Sequence, residues 1–387
     1  MEDKRTTFVY SSCLMSQKTL DSLFAKIPNM VGLQAQKYHR LIAEGLSKNN
    51  ANVCVVSFQL GTEKLEEIPS FESDDNICFS NIICRKRILR HFNVTMQSYK
   101  TTKALLKKNK NAFLICDVLN YSVALGSVLA AKKLNVKTIG IITDFPEYLG
   151  SKKSIKVPLM WRLIKKFDAY ILLTRKMSER ISNRKNYIVL EGQSDSKETI
   201  KTLSLCRKYD DFVCMYAGLL DIKYGIKNLV EGFLGANVPN SKLIIFGNGD
   251  YSEELVKIKD PRIDFRGLCP NEDVLEEEKR ATLLINPRPT NDEYTLYSFP
   301  SKTIEYMTSG TPLLTTKLPG IPIEYFDYVY TFDNYDVDSI AKKIKELSML
   351  KKEELFGTGN KARLFVLEKK NNVVQTRKII DFANGLK

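Results

Sequence analysis

The chain of 387 residues carries a formal net charge of +14, with 43% of its residues apolar and 27% charged. Its length exceeds what one ordinary hydrophobic core holds and predicts two α/β domains of similar size. The longest apolar stretch, around residues 123–131, falls far short of a bilayer span, so an integral helical membrane protein is excluded while contact with a membrane surface is not.

The charge is unevenly placed. Residues 1–190 hold 31 Lys and Arg against 15 Asp and Glu, whereas residues 191–387 hold 28 against 30. The whole excess therefore lies in the first half and points to an anionic partner there, with a solvated basic face as the simpler alternative. Eight cysteines, at positions 13, 54, 78, 84, 116, 206, 214 and 269, form no Cys-x-x-Cys pair and mostly lie in or beside apolar runs. That pattern reads as buried, reduced thiols, not disulfides or a zinc site, and the first residues have no signal-peptide character, so the expected location is cytoplasmic.

Along the chain, short β-rich runs alternate with helix-length amphipathic segments, the pattern of doubly wound α/β domains. Residues 7–12 read as a strand, followed by a polar loop to Gly32, a helix over 33–46 and a strand over 52–58. Further strands are expected at 113–116, 138–143, 169–173 and 187–190, with helices at 101–108, 121–134 and 158–167. Asp117 and Asp144 close two of these strands, where parallel sheets line their ligand crevice; capping of the next turn is the alternative for each. Neither His39 nor His91 sits at a strand end, and His39 reads as structural. Residues 152–167 join Lys152, Lys153, Arg162, Lys165 and Lys166 to an apolar surface containing Trp161, the only tryptophan, which suits an anionic membrane face; Leu159, Leu163 and Phe167 fit plain core contacts equally. The cations at 85–87 and 107–110 add to the same field.

Residues 191–199 are polar, lack periodicity and fall where the charge balance changes, which makes them the linker. The expected division is 1–195, 196–365 and a closing helical segment from 366 to 387. A second strand series follows at 212–217, 243–246, 263–265, 283–286, 312–315 and 328–332, with helices beginning near Gly225, Ser252, Glu272, Pro300 and Val337, and a last helix over 361–387. Gly218, the Gly247-Asn248-Gly249 turn and Gly267 each follow a strand, where a missing side chain lets backbone approach a phosphate. The run Ser298-Phe299-Pro300-Ser301-Lys302 opens a helix whose free N–H groups and partial positive charge make an anion site. Glu305, one turn further, is placed to accept two vicinal hydroxyls, as of a ribose.

At Pro300-Ser301-Lys302, Glu305-Tyr306-Met307 and Ser309-Gly310-Thr311-Pro312 the chain resembles the retaining, nucleotide-sugar-dependent glycosyltransferases of family 4, and its Tyr294-x-x-Tyr297-Ser-Phe-Pro-Ser-Lys run resembles a subfamily of polysaccharide assembly. The resemblance implies a GT-B architecture: two Rossmann-like domains facing a central cleft, with the C-terminal helix crossing back to the first. It implies a donor site at Gly218, Leu219, Lys223, Gly247, Gly249, Gly267, Leu268, Tyr297, Ser298, Phe299, Pro300, Ser301, Lys302 and Glu305. Asp144, Lys223 and Arg288 are expected to serve catalysis, and Gly32, Gln34, Asp117 and Asp144 the acceptor side. Two positions depart from the family. Leu219 stands where many relatives have Arg, with Lys223 one residue out of step, and Tyr297 replaces the first of two glutamates eight positions apart. Phosphate charge then falls to Lys223, Arg288 or Lys302, and Asp292 or Glu293 are alternatives for the sugar.

The implied activity is metal-independent transfer of a hexose-type sugar from a nucleoside diphosphate, UDP foremost, to a saccharide acceptor, lipid-linked at the inner membrane face. No cofactor or metal is expected, since the sequence shows no Asp-x-Asp or histidine cluster. A nucleotide-sugar epimerase and a non-catalytic glycosyltransferase-like subunit are the rival readings. Nucleic acid is not an expected partner, because the basic residues are not interleaved with stacking aromatics.

Overall fold

The computed structural model describes residues 5–27, 33–65, 68–85, 88–148, 156–181, 186–200 and 203–386. The chain divides into two compact units, Met1–Asp195 with Asn371–Lys387, and Ser196–Lys370.

The first unit is built on β1 (Thr7–Ser12), β2 (Asn52–Ser57), β3 (Phe71–Asp74), β4 (Ile77–Asn81), β5 (Ala112–Asp117), β6 (Thr138–Ile142), β7 (Ala169–Leu172) and β8 (Tyr187–Val189). They form one sheet in the order β3-β4-β2-β1-β5-β6-β7-β8. All pairs are parallel except the β3–β4 hairpin. β1, at the centre, aligns Thr7 with Asn52 on one side and Ala112 on the other and is buried along its length, as a strand covered on both faces must be. The strand order reverses between β1 and β5, which places a ligand crevice outside their carboxyl ends. The helices are α1 (Gln17–Lys26), α2 (Leu33–Lys48), α3 (Arg90–Lys108), α4 (Tyr121–Lys133) and α5 (Lys156–Ile164).

Several elements differ from the sequence expectation. α1 lies inside the stretch read as a loop: the Ser16 hydroxyl caps it by accepting from Thr19 N at 3.2 Å, and it buries Leu20 and Leu23. Few apolar residues and no acid in its first turn hide it from periodicity. The β3–β4 hairpin is absent from the sequence expectation, since β3 buries none of its residues and is ordered by its pairing with β4. The closing segment is not one helix. α11 (Lys352–Lys369) is capped by Lys370, and Asn371, extended at φ −72° and ψ 160°, accepts from Val373 N and Val374 N to start α12 (Asn372–Asn384). An asparagine that satisfies the first amides of a new helix stops the old one from continuing.

α12 belongs to the first unit and packs on α2. Its Ile379, Ile380 and Ala383 join the core of Phe8, Tyr10 and Ile42, and Asn372 donates to Leu41 O at 3.1 Å while Asn49 donates to Val373 O at 2.8 Å. Gly45 permits this approach, since a Cβ there would lie 2.4 Å from Asn372 O. Gly45→Val is therefore expected to destabilise the first unit by about 1–3 kcal/mol through overpacking. Denaturant unfolding with an unchanged midpoint would show that α12 docks elsewhere.

The second unit has an all-parallel sheet in the order β11-β10-β9-β12-β13-β14, from β9 (Phe212–Ala217), β10 (Ser241–Phe246), β11 (Ile263–Gly267), β12 (Leu283–Asn286), β13 (Leu313–Thr315) and β14 (Tyr330–Thr331). The intervening helices are α6 (Ile226–Ala236), α7 (Ser252–Lys257), α8 (Asn271–Arg280), α9 (Ser301–Ser309) and α10 (Val337–Ser348). Leu229 and Phe233 of α6 meet Ile340 and Ile344 of α10 over Leu243, Ile245 and Leu283 of the sheet. Here too the order reverses, between β9 and β12.

Candidate functional site

At the carboxyl edge of the second sheet, three strand ends are laced together through their main chains. Gly218 N donates to Phe246 O at 3.1 Å, Gly247 N to Gly267 O at 2.8 Å and Leu220 N to Asn248 O at 3.0 Å. Gly247 has φ 128°, and a Cβ on it would meet Gly218 O at 1.8 Å, so no other residue fits this junction. Gly218, Gly247, Gly249 and Gly267 thus line one edge, beside the exposed side chains of Leu219 and Leu268.

α9 meets the same edge. The buried Tyr306 hydroxyl accepts from Ala217 N at 2.8 Å and donates to Ala217 O at 3.1 Å, which fixes the helix against the end of β9. Pro300 occupies the cap position, one residue earlier than its expected place at the first helical position; no side chain caps the turn and no acid lies in it. The first amides of α9 therefore face the edge without a protein side chain to take their charge.

Lys302 and Glu305 do not stand free. Lys302 forms an ion pair with Glu305 and a longer one, 3.6 Å, with Glu278 of α8. Glu278 is fully buried, and its carboxyl is pushed up to about 8, first by burial and then by Glu305, against the pull of Lys302. Burial favours the neutral form of Lys302, and the adjoining Glu305 carboxylate outweighs it and keeps the ammonium charged. At neutral pH the cluster is thus a Lys302–Glu305 ion pair beside a protonated Glu278. Nothing in the sequence marked Glu278, because a glutamate on a helix rich in acids reads as solvent-facing.

Arg288, just past β12, is the cation best placed for an anion. Its guanidinium lies 4.8 Å from the centre of the Tyr224 ring, and Tyr224 meets Tyr294 edge-on at 6.4 Å. Among the described residues no carboxylate pairs with it, whereas Lys223 is more than half exposed and lies 3.5 Å from Asp221. Burial pushes the Tyr216 and Tyr294 phenols up to about 12, with Arg288 pulling them down, so both stay neutral donors.

Buried polar atoms without a partner among the described residues gather here: Asn286 Nδ2, Tyr294 OH, Ser298 Oγ, Thr303 Oγ1 and Thr316 Oγ1. They come from the end of β12, the loop after it, α9 and the residue after β13. Such atoms are rare in folded proteins, and their concentration at one sheet edge is what a polar ligand would satisfy. Phe299 is buried against Tyr325 and supports the helix start, and Tyr297 is half-buried beside it.

The first unit presents a different arrangement. Asp117, at the end of β5, is 4% exposed; its Oδ1 accepts from Leu119 N at 3.0 Å and its Oδ2 lies 3.3 Å from His39 Nε2. His39 Nδ1 is 2.7 Å from the Tyr10 hydroxyl. Asp117 therefore caps its own turn and anchors His39, facing inward. Cys13 joins this group, all ligand atoms lying within 4.8 Å of one another, and burial raises its thiol to about 12. Both ring nitrogens of His39 thus face a polar neighbour, Tyr10 on one side and Asp117 on the other. Asp144 lies two residues beyond β6, half-buried. Gly32 lies outside the described residues, and Gln34 is described in its helical backbone alone.

In the basic segment, Lys152 and Lys153 are likewise outside the described residues. α5 begins at Lys156, not Pro158, and its Leu163 and Ile164 are 1% exposed. Trp161 donates to Glu147 at 3.2 Å and packs on Phe145 at 5.3 Å, with the Arg180 guanidinium over both rings. Arg162, Lys165 and Lys166 are exposed, and of the apolar residues Leu163, Ile164 and Phe167 serve the core while Leu159 remains exposed.

Solved structures share this fold over nearly the whole chain. Sucrose-phosphate synthase from Thermosynechococcus elongatus superposes with a TM-score of 0.68 at 14% identity, covering 99% of this chain and 100% of that one. The fold is GT-B. Anabaena HepE in complex with UDP gives a TM-score of 0.65 at 13% identity over 98% of this chain and all of that one. A mutant of S. aureus TarM in complex with fondaparinux, α-GlcNAc-glycerol and UDP gives 0.62 at 11% identity over 97% and 99%. Residues 197–363, nearly all of the second unit, match the family model described as glycosyl transferases group 1. No curated protein matches the sequence. The Gly-lined edge, α9 and Arg288 all lie inside the group 1 match.

Proposed function

We propose that the protein is a retaining glycosyltransferase that moves a hexose-type sugar from a nucleoside diphosphate, UDP foremost, to a lipid-linked saccharide in cell-surface polysaccharide assembly at the inner membrane face. The observation that carries the reading is the convergence, inside the group 1 match, of the glycine edge, the uncapped start of α9, Arg288 and the unpartnered polar atoms. HepE in complex with UDP supports the choice of nucleotide.

In this reading Glu305 accepts the ribose hydroxyls, and the α9 amides receive the diphosphate beside the glycine edge at Gly218 and Gly247, where no side chain stands in its way. Arg288 adds the fixed positive charge, so that the charge growing on the leaving group meets preorganised donors and the protein's own cations neutralise it without a metal. The acceptor oxygen forms its bond to the anomeric carbon as the carbon–oxygen bond to the β-phosphate breaks. The hydroxyl proton passes to that phosphate on the same face. Lys223 is the second cation offered to the diphosphate and Tyr294 and Tyr297 are the polar contacts offered to the sugar, while Asp144 of the first unit is assigned to the acceptor.

An α-linked UDP-sugar should give an α-linked product, read from NMR coupling constants, and turnover should survive EDTA. An inverted centre would refute retention. Loss of turnover restored by manganese would refute the metal-free step, and saturable UDP binding with no turnover over a broad acceptor panel would favour a non-catalytic subunit.

A further inference from the structure

The surface at the start of α3 combines exposed apolar side chains with charge of a single sign. Ile88, Leu89, Phe92 and Met96 are 82%, 69%, 63% and 41% exposed. Ile88, Phe92 and Met96 recur every four residues, and the last two stand one turn apart on the helix. Leu89, the residue before the helix, has φ 57°, a left-handed conformation costly for leucine, and gains no burial there. From Asn76 to Cys116 the sequence contains nine Lys and Arg and no Asp or Glu, so no acid within α3 or its flanks offsets the field. Arg85 is exposed just before the stripe and Lys100 continues it four residues beyond Met96.

We propose that this face of α3 docks the first unit on an anionic lipid membrane, its apolar side chains entering the headgroup boundary and its cations meeting the lipid phosphates. An apolar stripe bordered by cations is the composition of helices that lie in a membrane interface. The uninterrupted positive run is complementary to such a surface and opposes pairing of the face with another copy of itself. The assignment moves the membrane contact away from α5, whose Leu163 and Ile164 are buried and whose Trp161 is tied to Glu147 and Phe145. β4 ends at Asn81, so α3 starts at the carboxyl edge of the first sheet, the edge that also carries Asp117. The inference deepens the proposed function by naming the surface that would bring the protein to a lipid-linked acceptor.

Sedimentation with vesicles of phosphatidylglycerol and phosphatidylcholine, against phosphatidylcholine alone, tests it at about 0.1 M salt, where screening is moderate. The full chain should pellet with the anionic vesicles only. Ile88→Asn with Phe92→Asn should lower the partition coefficient at least tenfold, and Leu89→Asn, which suits the left-handed backbone, should lower it without loss of stability. Wild-type protein remaining in the supernatant would overturn the proposal. So would binding that survives these variants but is lost in Lys165→Ser with Lys166→Ser, or a wild-type dimer that the α3 variants dissociate. UDP calorimetry on the same proteins separates the two readings. UDP binding without vesicle binding rejects the surface alone, whereas vesicle binding without UDP binding rejects the donor site and leaves the surface standing.

Discussion

Glu305→Ala is expected to weaken UDP binding by about 2–3 kcal/mol, roughly 30- to 150-fold in Kd, as when a charged acceptor of hydrogen bonds is lost. Glu305 lies in the second turn of α9, whose first turn offers unpaired amides, and it is held in place by Lys302. In the proposed reading its removal takes away the contact to the ribose, and it leaves Lys302 with the buried Glu278 carboxyl group as its remaining neighbour. Glu305→Gln keeps the shape and one acceptor, so its loss should be about half as large. Calorimetry with UDP on both variants, with circular dichroism to show that they fold, is the measurement. Wild-type affinity in the folded alanine variant would remove Glu305 from the donor site. Arg288 lies outside this cluster and should respond independently.

Glu278 should make the stability of the second unit fall as pH rises. Its folded-state proton affinity is raised from the ordinary carboxyl range to about 8, chiefly by burial. Between those two values the folded chain holds a proton that the unfolded chain has released. Stability therefore declines by about 1.4 kcal/mol per pH unit from this group across the window, and the penalty is complete above about pH 8. The slope is an upper bound, since Lys302 and Glu305 shift with it. Glu278→Gln cannot ionise, so the difference in unfolding free energy between the wild type and this variant should fall steadily from pH 5 to pH 8. Urea unfolding at four pH values measures it, and a difference independent of pH would show that Glu278 does not carry a proton in the native state. The same proton leaves Lys302 and Glu305 as a neutral pair, so Glu278→Gln should also flatten the pH dependence of UDP affinity.

Much of the second unit was legible from single residues. A strand ending in glycine, or a helix opened by Ser-Phe-Pro and closed by Ser-Gly, is specified by local backbone geometry, and the strand ends at Ala217, Phe246, Gly267 and Asn286 fall within a residue or two of their expected places. Elements whose stability comes from partners were harder to read. α1 depends on Leu20 and Leu23 reaching a small cluster with Leu65 and Ile68, and β3 depends on its pairing with β4. The split between α11 and α12 rests on one asparagine side chain that competes for two amides.

Sequence alone determined the alternation that makes two parallel sheets, the positive excess of the first half, and the glycines at the strand ends with the side-chain-free start of α9, because each follows from local spacing or from composition. Tertiary structure decided which charges remain available. Lys302, a phosphate ligand by its place in the sequence, is committed to Glu305, while Arg288 rests on Tyr224 with no carboxylate partner among the described residues. Asp117, at a strand end that lines the crevice, turns inward to Leu119 N and His39. Leu163 and Ile164 of α5 go to the core, whereas Ile88, Leu89, Phe92 and Met96 at the start of α3 are left in solvent although Val94 and Leu106 of the same helix are buried. Burial and pairing set these outcomes, and both depend on residues brought together from distant parts of the chain, which no local pattern records.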